Sequence, residues 1–450
     1  MATASMFEFD EQLAELVLAY CRERLALAPV PLDLPGAKAE LEDALAGLLR
    51  PGGNDPAHVL EVFAQKLAPA VLSCDSPRFL SFIPAAPTKA ALLFDMVVSC
   101  SSLQGTSWLE AAGAVSAENQ VLRLLADLAG LPDTAGGVFV SGGSAGNLSA
   151  LVVARDLSRR RGVTVDRPKV AVSEQAHSSV AKALHVVGMD ALVVPTEDRR
   201  LTAGRLRAAV AGHEHELAAV VATAGTTNAG IIDDLEGVGS LARELGVWFH
   251  VDGAYGGAAL FSERVRPRYA GLRHVDSFVV DPHKWLFAPF DCAALVYREP
   301  RYAKAVHTQD AGYLEVLHTD APEEWNPSDF AYHLTRRARG LPLWFSLAVH
   351  GTDAYRDAVD AALDLAAAAV GLIGQRPYLE LLREPELSVV LFRRPGWTAG
   401  DYHAWSSRLL ADQVGFVTPT VWDGETVARF CFLHPGTTPA MVAEILDTMA

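Results

Sequence analysis

The sequence predicts an α/β protein with a large, mainly parallel sheet and a small C-terminal α+β domain. Two observations support this prediction. From Gly136 onward, short apolar runs alternate with helical stretches, and near-continuous apolar strands are typical of parallel sheets covered by helices on both faces. After Gly351 the pattern changes to a long helix, followed by strand, helix, strand, strand and helix.

The region before the sheet is predicted to be helical. Residues 10–72 are amphipathic, with loops at 29–35 and 51–55, and a further helix is expected over 110–131. The first helices form either an arm that packs on a partner subunit or an ordinary N-terminal layer. We place the helical arm at residues 1–75, the large domain at 76–350 and the small domain at 351–450.

Strands are predicted where apolar and β-branched residues form short runs between turn signals. In the large domain they lie at 136–140, 170–176, 217–227, 247–252, 277–281 and 291–298. In the small domain they lie at 387–393, 415–419 and 426–433.

Composition narrows the class of protein. The 450 residues carry a net charge of −16, which argues against nucleic acid or an anionic membrane as a partner. The five cysteines form no CxxC pair, as is typical of reduced thiols in a cytoplasmic enzyme. The acidic start MATASMFEFDEQLAEL does not resemble a signal peptide, and the alanine-rich run over 361–374 is too short to span a bilayer. We therefore expect a cytoplasmic protein.

The most informative stretch is SFVVDPHKWLF, in which a buried strand breaks at Pro282 and is followed by His283 and Lys284. A lysine at the end of a buried strand is partly desolvated. Desolvation favours the neutral amine, which can add to a carbonyl and form an imine. An isolated lysine at this position would more often be a surface residue, so the interpretation depends on four other stretches.

Two of these stretches supply an anion site and a carboxylate. In SGGSAGN, Gly143 and Ser144 open a helix after a strand, where main-chain amides and the helix dipole favour an anion, although a plain strand–helix turn is an equal alternative. In HVDGAYGG, Asp252 ends a strand, the edge at which open α/β sheets bind ligands. Asp252 could pair with a protonated ring nitrogen, ligate a metal or cap a helix.

The other two stretches place His177 and Thr227 after two further strands. His177 could stack on a planar cofactor or contact the carboxyl group of a substrate, and Thr227 could contact a ring substituent. A small residue, Ala254, would let a flat ring lie close to Asp252. The HEHE run at 213–216 lacks the HExxH spacing, so we predict no metal site.

Together these motifs resemble the group II pyridoxal-phosphate decarboxylases, which include the aromatic amino-acid, histidine and glutamate decarboxylases. The likeness runs from about Ser76 to the C-terminus. The most specific part is Asp-x-His-Lys-Trp at 281–285 with HVDGAYGG upstream, and TRRARGLPLW at 335–344 adds to it. The resemblance implies an aspartate-aminotransferase-like fold (fold type I) and a homodimer with active sites at its interface.

The resemblance also implies roles for individual residues. Lys284 would bind pyridoxal 5'-phosphate covalently, Asp252 would bind its ring nitrogen and His177 would stack on its ring. The remaining cofactor contacts are Gly143, Ser144 and His283 at the phosphate, with Thr227 and Ala254 lining the ring.

The substrate pocket implied by the resemblance comes from two loops, partly across the dimer interface. Its residues are Phe82, Ile83, Pro84, Gln104, Thr106 and Trp108. Gln104, Thr106 and the nearby Glu110 make this pocket more polar than in members that act on aromatic amino acids. In members that act on aromatic amino acids, a loop before the arginine pair, here Arg336–Arg337, carries a tyrosine that returns a proton to the substrate. Here Pro327 lies near that place and neither Tyr313 nor Tyr332 is a clear counterpart, which leaves both an amine and an aldehyde as possible products.

Three functions are compatible with these residues. The favoured one is a lyase that converts an L-amino acid, aromatic or more polar, into an amine and carbon dioxide. A second keeps the site but forms an aldehyde with consumption of oxygen, and an aminotransferase is a variant of it. A third is a non-catalytic protein that binds the cofactor, because a fold alone does not establish catalysis.

Overall fold

A computed structural model describes residues 5–83, 86–317 and 324–450 of the chain. Five helices precede the first strand. They are α1 (Glu11–Ala26), α2 (Lys38–Leu45), α3 (Pro56–Val62), α4 (Lys89–Cys100) and α5 (Trp108–Leu128). Helices α1–α3 bury no residue within this chain, whereas α5 packs a buried apolar face that includes Val115 and Leu122.

A seven-stranded sheet forms the centre of the molecule, in the order β1-β7-β6-β5-β4-β2-β3. Its strands are β1 (Gly136–Val140), β2 (Lys169–Ser173), β3 (Asp190–Val194), β4 (Leu217–Thr223), β5 (Trp248–Asp252), β6 (Ser277–Val280) and β7 (Ala293–Tyr297). The adjacent strands from β6 to β3 are parallel, and β7 runs antiparallel to both β1 and β6. The prediction of a large, mainly parallel sheet is confirmed.

Helices cover both faces of this sheet. They are α6 (Gly143–Arg160), α7 (Ser178–Val187), α8 (Ala203–Val210), α9 (Leu235–Glu244) and α10 (Pro300–His307). Apolar side chains such as Val220 on one face and Val221 on the other lie in two separate buried clusters. Burial on both faces explains why these strands read as continuous apolar runs in the sequence.

The C-terminal part begins with the long helix α11 (Leu341–Gly374), which is kinked at Gly351. A four-stranded antiparallel sheet follows, in the order β10-β11-β9-β8. Its elements are β8 (Glu380–Leu381), β9 (Val389–Arg393), α12 (Ala399–Ala411), β10 (Thr420–Trp422), β11 (Glu425–Cys431) and α13 (Pro439–Asp447). The small α+β unit is confirmed, while the domain boundaries at residues 75 and 350 stay predictions.

One predicted strand of the small unit is wrong. Residues 415–419 form no strand; Phe416 instead makes an isolated bridge to Phe79, and its carbonyl accepts a hydrogen bond from the Leu80 amide. The apolar pattern there reflects packing against a distant segment. The sheet strand is β10, which turns into β11 through Asp423 and Gly424, both with positive φ.

Candidate active site

Lys284 lies one turn beyond β6, at the carboxyl edge of the parallel strands. Strand β6 is entirely buried, and the Lys284 amide donates to the Asp281 carbonyl as the chain turns. The Lys284 Nζ lies 2.9 Å from Asp281 Oδ2, and their side chains are 25% and 3% exposed. The amine is therefore held in an ion pair at the end of the strand.

This pair reverses one expectation. Burial lowers the pKa of Lys284, but the charge of Asp281, its hydrogen bond and the charge of Asp252 act against burial, and the net result is a raised pKa. Desolvation therefore favours the neutral amine as predicted, but the acidic neighbours keep the amine charged in the cofactor-free chain. The sequence places Asp281 three residues before Lys284, but it does not show that the two side chains point toward each other.

Asp252 lies at the end of β5, which is hydrogen-bonded to both β4 and β6. Its Oδ1 accepts a hydrogen bond from the Ala254 amide at 3.0 Å, and its Oδ2 accepts one from Asn147 Nδ2 at 2.9 Å. Two donors of this kind compensate the burial of a carboxylate charge. Asp252 is thus held in one orientation.

The glycine turn brings the start of α6 against this edge. A Cβ at Gly143 would lie 2.9 Å from the Ala254 Cβ and 3.2 Å from both Asp281 carboxylate oxygens. A Cβ at Gly146 would lie 2.6 Å from a methyl carbon of Val279, a residue of β6. Glycine at both positions allows the first turn of α6, with its free amides, to approach the strand ends closely.

His177 is the residue that caps α7. Its Nδ1 accepts a hydrogen bond from the Ser179 amide at 3.2 Å and lies 2.8 Å from Ser179 Oγ. His283 is held differently, because its Nδ1 accepts a hydrogen bond from the Cys292 amide at 3.1 Å. Burial lowers the pKa of His283, although Asp281 opposes this shift.

All the predicted cofactor residues line one cavity of about 210 Å³. They are Gly143, Ser144, His177, Thr227, Asp252, Ala254, His283 and Lys284. The cavity is also lined by residues that sequence reasoning missed: Gly142, Asn147, Ser179, Thr223, Gly225, Tyr255 and Asp281. Most of them belong to stretches that the sequence did identify, but only the fold shows which of their side chains face the cavity.

The predicted substrate residues do not line this cavity in the single chain. The side chain of Phe82 is 60% exposed, and its carbonyl accepts a hydrogen bond from Arg429, which also binds the Thr227 carbonyl. This contact ties the loop of Phe82 and Ile83 to a loop that contributes to the cavity. Pro84 lies outside the described residues.

The second predicted substrate loop is held by buried polar contacts. Arg336 donates to the Gly105 carbonyl and to both carboxylate oxygens of Glu118 at 2.6–2.7 Å. Within the loop, Thr106 is buried, and Gln104 Nε2 donates to Glu110 at 2.6 Å. The Trp108 amide donates to Asn326 Oδ1.

Of the two candidate tyrosines, Tyr332 is 53% exposed and does not line the cavity. Tyr313 lies in the short 3-10 helix Gly312–Leu317. That helix directly precedes residues 318–323, which are outside the described part of the chain.

The family model described as "Pyridoxal-dependent decarboxylase conserved domain" matches residues 49–394. The chain belongs to the pyridoxal-dependent decarboxylase family. Its cofactor is pyridoxal phosphate and its reaction is the decarboxylation of an amino acid. The family, fold class, cofactor and enzyme class predicted from the sequence are confirmed.

Individual pyridoxal-dependent decarboxylases align over most of the chain. An aromatic-L-amino-acid decarboxylase of Bacillus atrophaeus is 30% identical over 420 residues, covering 90% of this chain and 87% of the relative. An L-2,4-diaminobutyrate decarboxylase of Rhizobium meliloti is 35% identical over 378 residues, covering 80% of this chain and 74% of the relative. A solved structure of Oryza sativa TDC with PLP and tryptamine has a TM-score of 0.91 at 25% identity, covering 98% of this chain and 99% of that one.

The cavity of this pyridoxal-dependent decarboxylase fits its cofactor. It combines an amine, a carboxylate with a fixed orientation and the opening turn of a helix, which match the aldehyde, the ring nitrogen and the phosphate respectively. The buried Asp281 Oδ1 has no hydrogen-bond partner among the described residues, so polar capacity remains in the cavity.

The described residues contain no group of three or more His, Cys, Asp or Glu side chains arranged to hold a metal ion. Within the same part of the chain, no helix combines the length and apolar character needed to cross a bilayer.

Proposed function

We propose that the chain converts an L-amino acid into the corresponding amine and carbon dioxide, with Lys284 as the covalent attachment point and Asp252 as the partner of the ring nitrogen. The observation that carries this proposal is that both side chains line one cavity, together with the glycine turn of α6. An amine and a buried carboxylate at the ends of neighbouring parallel strands suit a flat ring bound between them.

The phosphate end of the cofactor is assigned to Gly143, Ser144 and His283. The amides of Ala145 and Gly146 already bond the Gly142 carbonyl, so the anion would lie on the amides that precede them. His177, Ala254 and Thr227 are assigned to the faces and edge of the ring, because they line the same cavity.

Bound pyridoxal phosphate supplies an electron sink for the pair of electrons released with carbon dioxide. The chain supplies orientation and electrostatics. Asp252 keeps a negative charge beside the ring nitrogen, and the walls around the cavity hold the substrate so that the carboxyl group can leave.

The substrate is proposed to be an aromatic or a more polar L-amino acid. The relatives named above act on aromatic amino acids and on L-2,4-diaminobutyrate, so both classes belong in the first assays. Gln104 and Glu110, which are hydrogen-bonded to each other, support a polar contribution to the pocket.

A homodimer and a cytoplasmic location are part of the same proposal. In support of the dimer, α1–α3 bury no residue in the single chain. Apolar side chains in and beside these helices, such as Phe9, Leu18 and Phe63, are exposed. We place Phe82 and Ile83 at the rim of their own cavity, whereas the exposed Gln104 and the partly exposed Trp108 would reach the cavity of the partner. The buried Thr106 would shape that loop from within.

A single panel of assays tests the function. Purified protein loaded with pyridoxal phosphate is given each of the twenty amino acids, ornithine and diaminobutyrate, and carbon dioxide, amine and peroxide are measured together. Amine equal to carbon dioxide supports the proposal. Peroxide and ammonia in step with carbon dioxide would establish the aldehyde-forming reaction instead, and a keto acid an aminotransferase. Bound cofactor without any product would indicate a non-catalytic protein.

A further inference from the structure

A network of buried polar side chains is hydrogen-bonded to Asp252. Trp248 Nε1 donates to Ser277 Oγ at 3.0 Å, and Ser277 Oγ lies 2.8 Å from His250 Nδ1. His250 Nε2 lies 2.9 Å from Asn147 Oδ1, and Asn147 Nδ2 donates to Asp252 Oδ2 at 2.9 Å. All five residues are buried.

The donors and acceptors in this network allow one arrangement of its hydrogen bonds. The Asp252 carboxylate only accepts, so Asn147 must present its NH₂ group to Asp252 and its carbonyl to His250. His250 must then donate from Nε2. Burial lowers the pKa of His250, although the charge of Asp252 opposes this, so the ring is neutral and its Nδ1 accepts from Ser277.

Asn147 also connects to the ring-stacking side of the cavity. Its NH₂ group donates to Ser179 Oγ at 3.0 Å, and Ser179 Oγ lies 2.8 Å from His177 Nδ1. Because Asn147 uses its two N–H bonds on Asp252 and Ser179, one buried amide fixes the side chains proposed for the ring nitrogen and the ring face. Apart from Asp252 and His177, the residues of this network have no role in the proposed function.

We propose that Asn147 and His250 are positioning residues, which hold the Asp252 carboxylate in the orientation required by the ring nitrogen of the cofactor. Outer hydrogen-bond partners of this type have large effects on the groups they orient. The inference rests on the proposed placement of the cofactor at Asp252, and it assigns the orientation of that carboxylate to two side chains that have no role in the proposed function.

The first test uses the unmodified protein. ¹⁵N shifts of histidine side chains, measured with and without pyridoxal phosphate, report the tautomer of each ring, and loss of one signal in His250→Gln identifies His250. The expected result at pH 7 is a neutral ring protonated at Nε2. A ring protonated at Nδ1, or a charged ring, would overturn the inference.

The second test compares Asn147→Ala with Ser158→Ala. Ser158 is equally buried on α6 but bonds only the Arg155 carbonyl of its own helix. A hydrogen bond to a charged group has an effect of about 1.5–3 kcal/mol, so Asn147→Ala should bind pyridoxal phosphate about 10- to 100-fold more weakly. It should also shift the absorption of the bound cofactor and lower kcat more than it changes KM.

His250→Gln, which keeps an N–H donor, should recover part of the affinity that His250→Leu loses. If Asn147→Ala has the same cofactor affinity and absorption as Ser158→Ala, the inference is contradicted. The proposed function would be unaffected by that result. Failure of the unmodified protein to bind the cofactor would instead refute the proposed function, and the histidine tautomer would still test the network.

Discussion

Lys284 Nζ and Asp281 Oδ2 lie 2.9 Å apart, although a free amine is what the chemistry of this site requires. The carboxylate is almost fully buried and the lysine mostly so. The pair therefore stabilises the cofactor-free chain and must be broken when the lysine reacts with an aldehyde. Two further acidic or basic side chains are near: His283, whose Nε2 is 3.6 Å from the same carboxylate oxygen, and Asp252.

Asp281→Asn should bind pyridoxal phosphate faster than the unmodified chain near neutral pH. Without the negative charge of Asp281, burial lowers the pKa of Lys284, and the fraction of neutral amine rises about tenfold for each unit of that fall. Stopped-flow absorbance at several pH values measures the rate. Asp291→Asn is the control, since Asp291 pairs with Arg339 instead.

The same substitution should make the cofactor-free chain less stable by about 2 kcal/mol, because a buried cation loses its charged partner. The folded-state pKa of Lys284 is raised, so this stabilisation is present below the ordinary lysine pKa of 10.5 and is lost as the pH rises through the folded value. Denaturation at pH 7 measures it. Unchanged stability together with an unchanged capture rate would show that the ion pair has no such role.

Lys284→Ala should eliminate both covalent cofactor and turnover. The variant removes the amine that reacts with the aldehyde, and mass spectrometry after borohydride reduction would find no added cofactor mass. Lys284→Arg is the matched control, because it keeps a cation beside Asp281 but cannot form the link. Turnover that survives in Lys284→Ala would refute the assignment of this residue.

Acid should destabilise the chain through buried histidines. Burial lowers the pKa of His333 to about 4, with Arg336 and Arg339 adding to the effect, and burial also lowers that of His250 against the opposing charge of Asp252. Between the ordinary value of 6.5 and the folded value, the unfolded chain binds the proton and the folded chain does not. Each histidine therefore reduces stability by about 1.4 kcal/mol per pH unit as the pH falls.

His250→Gln tests that dependence. Removing one buried imidazole should reduce the slope of the unfolding free energy between pH 6.5 and 5 by about one proton, measured by urea denaturation at each pH. Ser158→Ala, a buried substitution on α6 that removes no titratable group, is the control and should leave the slope unchanged. An equal slope in both variants would show that His250 is protonated in the folded chain.

Much of the fold and the centre of the site could be predicted because they depend on local patterns. The strands that carry Asp252 and Lys284 are buried on both faces, so each appears as an apolar run that ends in a polar residue. Parallel strands place such ends at one edge. Strand β3 was missed because most of its residues are exposed at the margin of the sheet, where burial does not constrain the sequence.

The remaining features depend on contacts between distant segments. Asn147 was part of a recognised glycine motif, but its bonds to Asp252 and His250 span 105 and 103 residues. The strand expected at 415–419 failed for the same reason, since Phe416 pairs with Phe79 and not with a neighbouring strand. The loop of Gln104 and Trp108 does not line the cavity of its own chain, so its proposed role in the substrate site requires a second copy.

This requirement for a second copy gives the last prediction. It uses two inactive variants that restore activity when they are mixed. Gln104 is exposed in the single chain, so Gln104→Trp should fold normally and yet obstruct the partner's cavity. Mixed with Lys284→Ala, it would form hybrid dimers in which one site combines an intact Lys284 with an intact Gln104 from the other subunit. Random pairing should restore about a quarter of the unmodified activity. Lys284→Ala mixed with Asp252→Ala should restore none, because both residues belong to one subunit's cavity. Full activity of Gln104→Trp alone, or no recovery in the first mixture, would place Gln104 outside the substrate site.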